Sequence, residues 1–252
     1  MSGKVIGFLG YGEIGSSVAT IMKDKYETTA QDPKHNLVFG KAFDIMHVSI
    51  PFNDRFMGIV ADAIKNHNPK LTIIESTIQL GTTRKLAEMT GSRVVHSPCR
   101  GVHPNLVAGI RTFVKYIGAL DDESAKMAEE HYNSVGIRTE LFKSPEETEM
   151  AKLLCTTYYM ANIIFCKEVS KLCKELNLDF DNVYTSFNRT YNEGYTQLGM
   201  HHVVRPVLKP MPGKVGGHCQ RPNIEIINRL VQMDYFKRFV EYDDSYADEK
   251  KD

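Results

Sequence analysis

The sequence predicts an α/β protein: a Rossmann-like doubly wound parallel sheet, followed by an all-α dimerisation domain reached through one long connecting helix. Three observations lead there. Short apolar runs alternate with helical stretches from Val5 to Phe142, the first run opens directly into Gly10-Tyr11-Gly12-Glu13-Ile14-Gly15, and Ser144 to Leu176 keeps helical periodicity for about nine turns. The expected organisation is residues 1–143 for the sheet, 144–242 for the helical domain and 243–252 for a disordered tail.

Val5 to Leu9 is an unbroken apolar run, the mark of a strand buried on both faces. In the turn that follows, the first glycine makes the bend, the second lets a pyrophosphate approach the backbone, and the third lets the helix from Ser16 to Lys23 pack on the strand. Glu27 to Gln31 reads as the second strand and ends at Asp32, near the ~20-residue offset at which an acid binds ribose hydroxyls. Such a carboxylate repels a 2′-phosphate, so NAD is expected over NADP, with Lys34 and His35 as the residues able to reverse the preference. The alternation continues through a strand Ile45 to Ile50 closing on Pro51, a helix Arg55 to Asn66, and a strand Leu71 to Glu75 entering Ser76-Thr77. A helix Thr82 to Met89, strands Arg93 to His96 and Thr112 to Gly118, a helix Ala125 to Val135 and a strand Ile137 to Phe142 complete it. Ligands of open α/β sheets gather beyond the strands' carboxyl ends. The cofactor residues are therefore expected to be Gly10, Tyr11, Gly12, Glu13, Ile14, Gly15, Asp32, Ile50, Pro51, Ser76 and Thr77.

The long helix has a marked start, with Ser144 as cap, Pro145 in the first helical position and Glu147 completing a Ser-x-x-Glu box. Its apolar stripe is too broad for one partner surface, so a homodimer built on it is expected. Beyond it, Asp181 to Leu198 reads as a helix, His201 to Gly217 as a basic loop, and Ile224 to Val240 as a helix capped by Asn223. Thirty-one lysines and arginines balance 31 acids, so the chain has no charge footprint for nucleic acid or an anionic membrane. The chain enters a strand almost at once, leaving no room for a signal peptide, and has no apolar run near the ~18 residues of a membrane span. Five cysteines without framework spacing fit reduced thiols, and a cytoplasmic setting is expected. No Cys/His spacing suggests a metal site.

Lys214-Val215-Gly216-Gly217-His218-Cys219 resembles the GxGGxC segment around the nucleophilic cysteine of the UDP-glucose/GDP-mannose dehydrogenase family. Glu149-Met150-Ala151-Lys152 is similar to that family's AE(L/M)xK signature, Ser76 to Thr83 to its STVPPGTT loop, Ser49-Ile50-Pro51 to its VPTP turn, and Ser97-Pro98 to the start of its SPEF stretch. The resemblance runs over nearly the whole chain. It implies a truncated member, without the C-terminal domain that holds the sugar nucleotide. The departures are specific: Lys214 replaces the first glycine, Cys99 stands where the family has a glutamate acid/base, Thr156 and Lys167 replace asparagines, and Asn223 replaces an aspartate.

The resemblance implies NAD-dependent oxidation of a sugar-type alcohol through an intermediate bound to Cys219, with Lys152 at the developing oxyanion and Thr77, Thr156 and Asn223 handling the reacting oxygen or water. A thiolate is needed, and a cysteine near a helix start beside glycine N–H groups and His218 has the setting for one. Two other readings stand beside this one: a two-electron hydroxyacid-type dehydrogenase that uses Lys152 and needs no thiol, and a catalytically degenerate dinucleotide-binding protein.

Overall fold

The structure, a computed structural model, describes residues 3–101, 104–215, 220–231 and 233–247. The chain divides into two compact units, Met1–Lys152 and Leu153–Asp252.

In the first unit, strands β1 (Val5–Leu9), β2 (Glu27–Gln31), β3 (Ile45–Val48), β4 (Leu71–Ile74), β5 (Val94–His96), β6 (Lys115–Gly118) and β7 (Thr139–Phe142) form one sheet in the order β2-β1-β3-β4-β5-β6-β7. Every pairing is parallel except β5 with β6. Alternation along the strands sends neighbours to opposite faces, and the core is accordingly double. On one face Ile6, Phe8 and Ile45 pack with α1 (Glu13–Met22), α4 (Leu106–Thr112) and α5 (Asp122–Asn133). On the other, Leu9, Met46 and Val48 pack with α2 (Phe56–His67) and α3 (Thr82–Thr90). The strand order reverses between β1 and β3, which is where such sheets open a crevice.

Expected and observed elements agree closely here, with two differences. The segment before β6 holds a further helix, α4, whose Leu106 and Ile110 face the core one turn apart while Gly109 weakens the local helical signal. The strand expected from Thr112 therefore begins only at Lys115.

Helix α6 spans Pro145–Glu175, about 46 Å at 1.5 Å per residue. The Glu147 N–H donates to Ser144 Oγ at 3.4 Å, and the Glu147 carboxylate accepts from the N–H of Lys143 at 3.0 Å, one residue earlier than a standard capping box. The first two turns belong to the first unit because Glu149 is buried there, which is why the division falls after Lys152 and not ahead of Ser144.

The second unit holds the rest of α6, a π-helical turn (Asp181–Ser186) running into α7 (Phe187–Gln197), and helices α8 (Gln220–Leu230) and α9 (Asp234–Ser245). Met160, Ile164, Val215 and Ile224 form its core, flanked by Phe236, Phe239 and Val240. Three expectations are corrected. The helix expected from Ile224 to Val240 is two helices broken before Asp234. Asn223 does not cap it but lies inside α8, buried. The tail expected to be disordered from Asp243 continues α9 to Ser245, with the Asp243 carboxylate buried and accepting from the Val215 N–H at 2.6 Å; residues 248–252 lie outside the described residues.

Candidate active site

The turn after β1 is shaped by what its glycines exclude. Gly10 has φ +91°, and a Cβ there would stand 2.7 Å from the Ser49 carbonyl oxygen. A Cβ on Gly15 would stand 2.1 Å from the Gly10 carbonyl oxygen, so this glycine lets α1 close on the turn. Gly12 is different: a Cβ there would meet no atom within 4 Å, and its backbone is extended. Gly12 also caps α1 without a side chain, so the helix's first N–H groups and its positive end face outward beside open space. These are the features a pyrophosphate needs, and the residues fit the group. Tyr11 and Ile14 flank the turn half-buried, and Glu13 is exposed in the first turn of α1.

Asp32 ties the end of β2 to this turn. Its Oδ2 accepts from the Tyr11 N–H at 2.6 Å and its Oδ1 from the Lys34 N–H at 2.9 Å, with His35 Nδ1 at 3.3 Å. Burial works to raise its pKa, but the Tyr11 N–H, His35 and the Lys34 N–H outweigh it and hold the carboxyl below its ordinary range. The residue expected to take the ribose thus has a prior backbone duty that spans 21 residues. Across the crevice, Ser76 Oγ donates to the Ile50 carbonyl at 2.7 Å and joins the ends of β3 and β4. Pro51 is exposed beside it, and Thr77 is half-buried.

The start of α6 is bound into the strand ends. Glu149, wholly buried, accepts from the N–H groups of Gly81 and Thr83 at 2.5 and 2.9 Å and from Thr83 Oγ1 at 2.6 Å, so it caps α3. Burial nevertheless raises its pKa. One turn on, Lys152 Nζ donates to the Cys99 carbonyl at 2.8 Å. Cys99 itself cannot replace a catalytic glutamate, because its side chain packs in the core with Leu106 and Ile110 and burial pushes its thiol up to about 11. His96 bridges Thr148 Oγ1, at 2.8 Å, and the Ser76 carbonyl, at 3.2 Å, and burial drives its pKa down to about 3.

In the second unit, Asn223 Nδ2 donates to Thr156 Oγ1 at 3.0 Å, bringing two residues expected in the site together. Cys219, the expected nucleophile, and His218 lie outside the described residues. The loop before Cys219 is pinned by Lys167, whose Nζ donates to the carbonyls of Met211 and Gly213 at 2.7 Å each and stands 3.9 Å from the Tyr246 ring centroid. Lys214 and Arg221 pair with Asp244 on α9, at 2.7 and 3.0 Å, so their charges are already engaged within the unit. Among the described residues no group of histidines, cysteines and acids has the arrangement of a metal site.

Sequence reasoning missed a buried polar cluster under the strand ends. Glu75 accepts from Tyr132 OH at 2.7 Å, from His47 Nδ1 at 2.9 Å and from the Lys115 ammonium, and His47 Nε2 lies 2.9 Å from His131 Nε2. The signal was present: a histidine at the centre of the apolar strand Ile45–Val48 and a lysine opening Lys115–Gly118 must be paired if those strands are buried.

Residues 146–241 match the sequence model of the UDP-glucose/GDP-mannose dehydrogenase family, central domain. The UDP-N-acetyl-D-mannosamine dehydrogenase of Methanocaldococcus jannaschii is 33% identical over 156 residues, 60% of this chain and 34% of that protein. The matched part thus spans about a third of the curated relatives' length. Among solved structures, the UDP-D-ManNAc dehydrogenase of Pyrococcus horikoshii superposes with a TM-score of 0.77 at 19% identity, covering 95% of this chain and 68% of that one. The 3-hydroxyisobutyrate dehydrogenase of Mycobacterium tuberculosis superposes with a TM-score of 0.70 at 16% identity, covering 98% of this chain and 96% of that one, a likeness of fold. The match to the family's sequence model is confined to its central domain, and the likeness to these solved dehydrogenases, at 16–19% identity, is one of fold.

Proposed function

We propose that the chain binds NAD at the Gly10 to Gly15 turn and oxidises an alcohol of a sugar-type substrate. The observation that carries this reading is Gly12, whose missing side chain leaves open space beside a helix N-terminus while its two partner glycines are closed in. NAD supplies the hydride acceptor when bound. The chain's own residues would do the rest: Ser76 and Ile50 hold the strand ends against which the nicotinamide end would lie, and Asp32 fixes the Tyr11 peptide and offers its remaining lone pairs to the ribose. Its negative charge favours NAD over NADP.

In the covalent route the Cys219 thiolate would add to the aldehyde left by the first hydride transfer, a second hydride would pass to NAD to leave a thioester on Cys219, and water would cleave that thioester to the acid and the free thiol, with Lys152 stabilising the oxygen that takes up charge and Thr77, Thr156 and Asn223 orienting that oxygen or the water. An oxyanion donor of this kind is worth roughly 3 kcal/mol. The two-electron reading is favoured by one observation, the core-facing Cys99 thiol where the family places a carboxylate, which leaves no base there to activate the releasing water. The ratio of NADH formed to alcohol consumed separates the routes. Two supports the covalent route, one the two-electron route with Lys152 as the polar catalyst, and none a degenerate binding protein. Screening free sugars, sugar phosphates, nucleotide sugars and hydroxyacids by thermal shift identifies the substrate class.

The same reading includes a homodimer. Leu154, Tyr158, Phe165 and Leu172 recur at spacings of four and seven along α6, Leu176 follows just past its end, and all are exposed, with Phe187 of α7 exposed as well. The free cysteines among the described residues, Cys99, Cys155, Cys166 and Cys173, suit a reducing cytoplasm. No helix among the described residues is long and apolar enough to cross a membrane.

A further inference from the structure

We infer that Glu75 and Lys115 are positioning residues that hold the Ser97-Pro98-Cys99 turn and, through it, the place of the Lys152 ammonium; this rests on the reading of Lys152 given above. Lys152 Nζ donates to the carbonyl of Cys99, so whatever fixes that carbonyl aims the lysine. The turn is fixed from several sides, and Glu75 holds two of them. The Cys99 N–H donates to the Glu75 carbonyl at 3.1 Å, and the Ser97 carbonyl accepts from Lys115 Nζ at 2.7 Å, the same ammonium that pairs with the Glu75 carboxylate. The Ser97 hydroxyl donates to the Tyr116 carbonyl at 2.8 Å, beside Lys115 on β6.

The carboxylate is in turn held by groups that nothing in the proposed chemistry uses. Tyr132 of α5 and His47 of β3 both donate to Oε1, leaving Oε2 for Lys115. Glu75 and Lys115 are at most 3% exposed at their side chains, so water cannot substitute for either. A buried charge whose partner is removed must find another or distort its surroundings. Here Lys115 bridges a carboxylate and a carbonyl two residues from the atom that receives Lys152, and a shift of either end moves the Cys99 carbonyl.

The test reads Lys152 directly by reductive methylation of the folded protein, with site-resolved mass spectrometry and Lys41 and Lys70 as internal references. It needs no substrate, so it stands or fails separately from the proposed activity. Glu75→Gln combined with Lys115→Met removes both charges together and so avoids stranding one, and Lys115→Arg keeps the charge while displacing the donor from the Ser97 carbonyl. Both are checked for native far-UV circular dichroism. Losing the hydrogen bond to Cys99 should raise Lys152 labelling about fivefold in the double variant and less in Lys115→Arg, with the reference lysines unchanged. Lys152 labelling at the parent's rate in either folded variant overturns the inference. If labelling rises but no substrate is ever oxidised, the positioning stands and the catalytic reading of Lys152 falls.

Discussion

The two units bury opposite things. The sheet unit hides ionisable side chains, with His47, Glu75, Lys115 and His131 all in its interior, whereas the helical unit shows apolar surface, with Tyr158, Phe165, Leu172, Leu176 and Phe187 each more than half exposed. A sheet covered on both faces by helices completes its own core and has room for a closed polar network; a few helices with a broad apolar stripe do not. The contrast teaches that the first unit is self-sufficient and strictly specified, while the second has unfinished hydrophobic business.

Stranding one charge of the network is the harshest way to probe that contrast. Glu75→Gln leaves the Lys115 ammonium buried without its carboxylate, and should cost about 3–5 kcal/mol by denaturant unfolding followed by circular dichroism. A loss below about 1 kcal/mol would show the network to be dispensable.

Acid probes the same groups without mutation. His96 and His131 are held neutral by burial, His96 with a pKa near 3 in place of 6.5, so below about 6.5 the unfolded chain takes up protons that the folded chain refuses. Stability should fall by about 1.4 kcal/mol per pH unit for each such histidine as the pH drops through that window. Glu75, held near 2 in place of 4.5 by Lys115 and His47 against the cost of burial, adds the same slope between about 4.5 and 2. Replacing His131 with glutamine should flatten the upper part of the curve.

Within the turn after β1, two glycines sharpen the comparison between folding and the proposed binding. Gly15→Ala forces a Cβ onto the Gly10 carbonyl and should cost about 1–3 kcal/mol of stability. Gly12→Val has room in the protein and should change stability by less than about 0.5 kcal/mol, yet weaken NAD at least about tenfold by calorimetry. Unchanged NAD affinity in Gly12→Val would remove the turn from the cofactor site. Asp32→Ala should also weaken NAD, and loosen the turn through Tyr11.

The smallest expected change in stability is on α6. Leu172→Glu replaces an exposed apolar residue and should shift the unfolding midpoint little, while turning the proposed dimer into a monomer by light scattering. A parent protein that is monomeric at all concentrations would break the comparison from this side.

Much of the first unit was legible because its signals are local. β1 and β2 are read to the residue from an apolar run, a glycine turn and a closing acid. Long-range partnerships leave no such trace: nothing near Lys115 announces Glu75, 40 positions away, and Cys99 reveals its identity but not that it faces the core. The break before Asp234 was invisible because the apolar rhythm of α8 carries on into α9 without a proline or glycine to mark it. Asp243 reads as part of an acidic, frayed end, and only its bond to Val215 shows otherwise.

That bond also orders events in time. On the ribosome the sheet and the start of α6 emerge complete, since every strand precedes residue 143, and N-terminal units fold first during synthesis. The second unit must wait. Val215 receives its acceptor from a residue made 28 positions later, and Glu168 receives the Tyr246 hydroxyl from one made 78 positions later, so α6 and the loop before Cys219 are held by groups synthesised only after them. A nascent chain stalled before α9 would therefore carry a finished sheet unit and a loop before Cys219 still lacking its anchors.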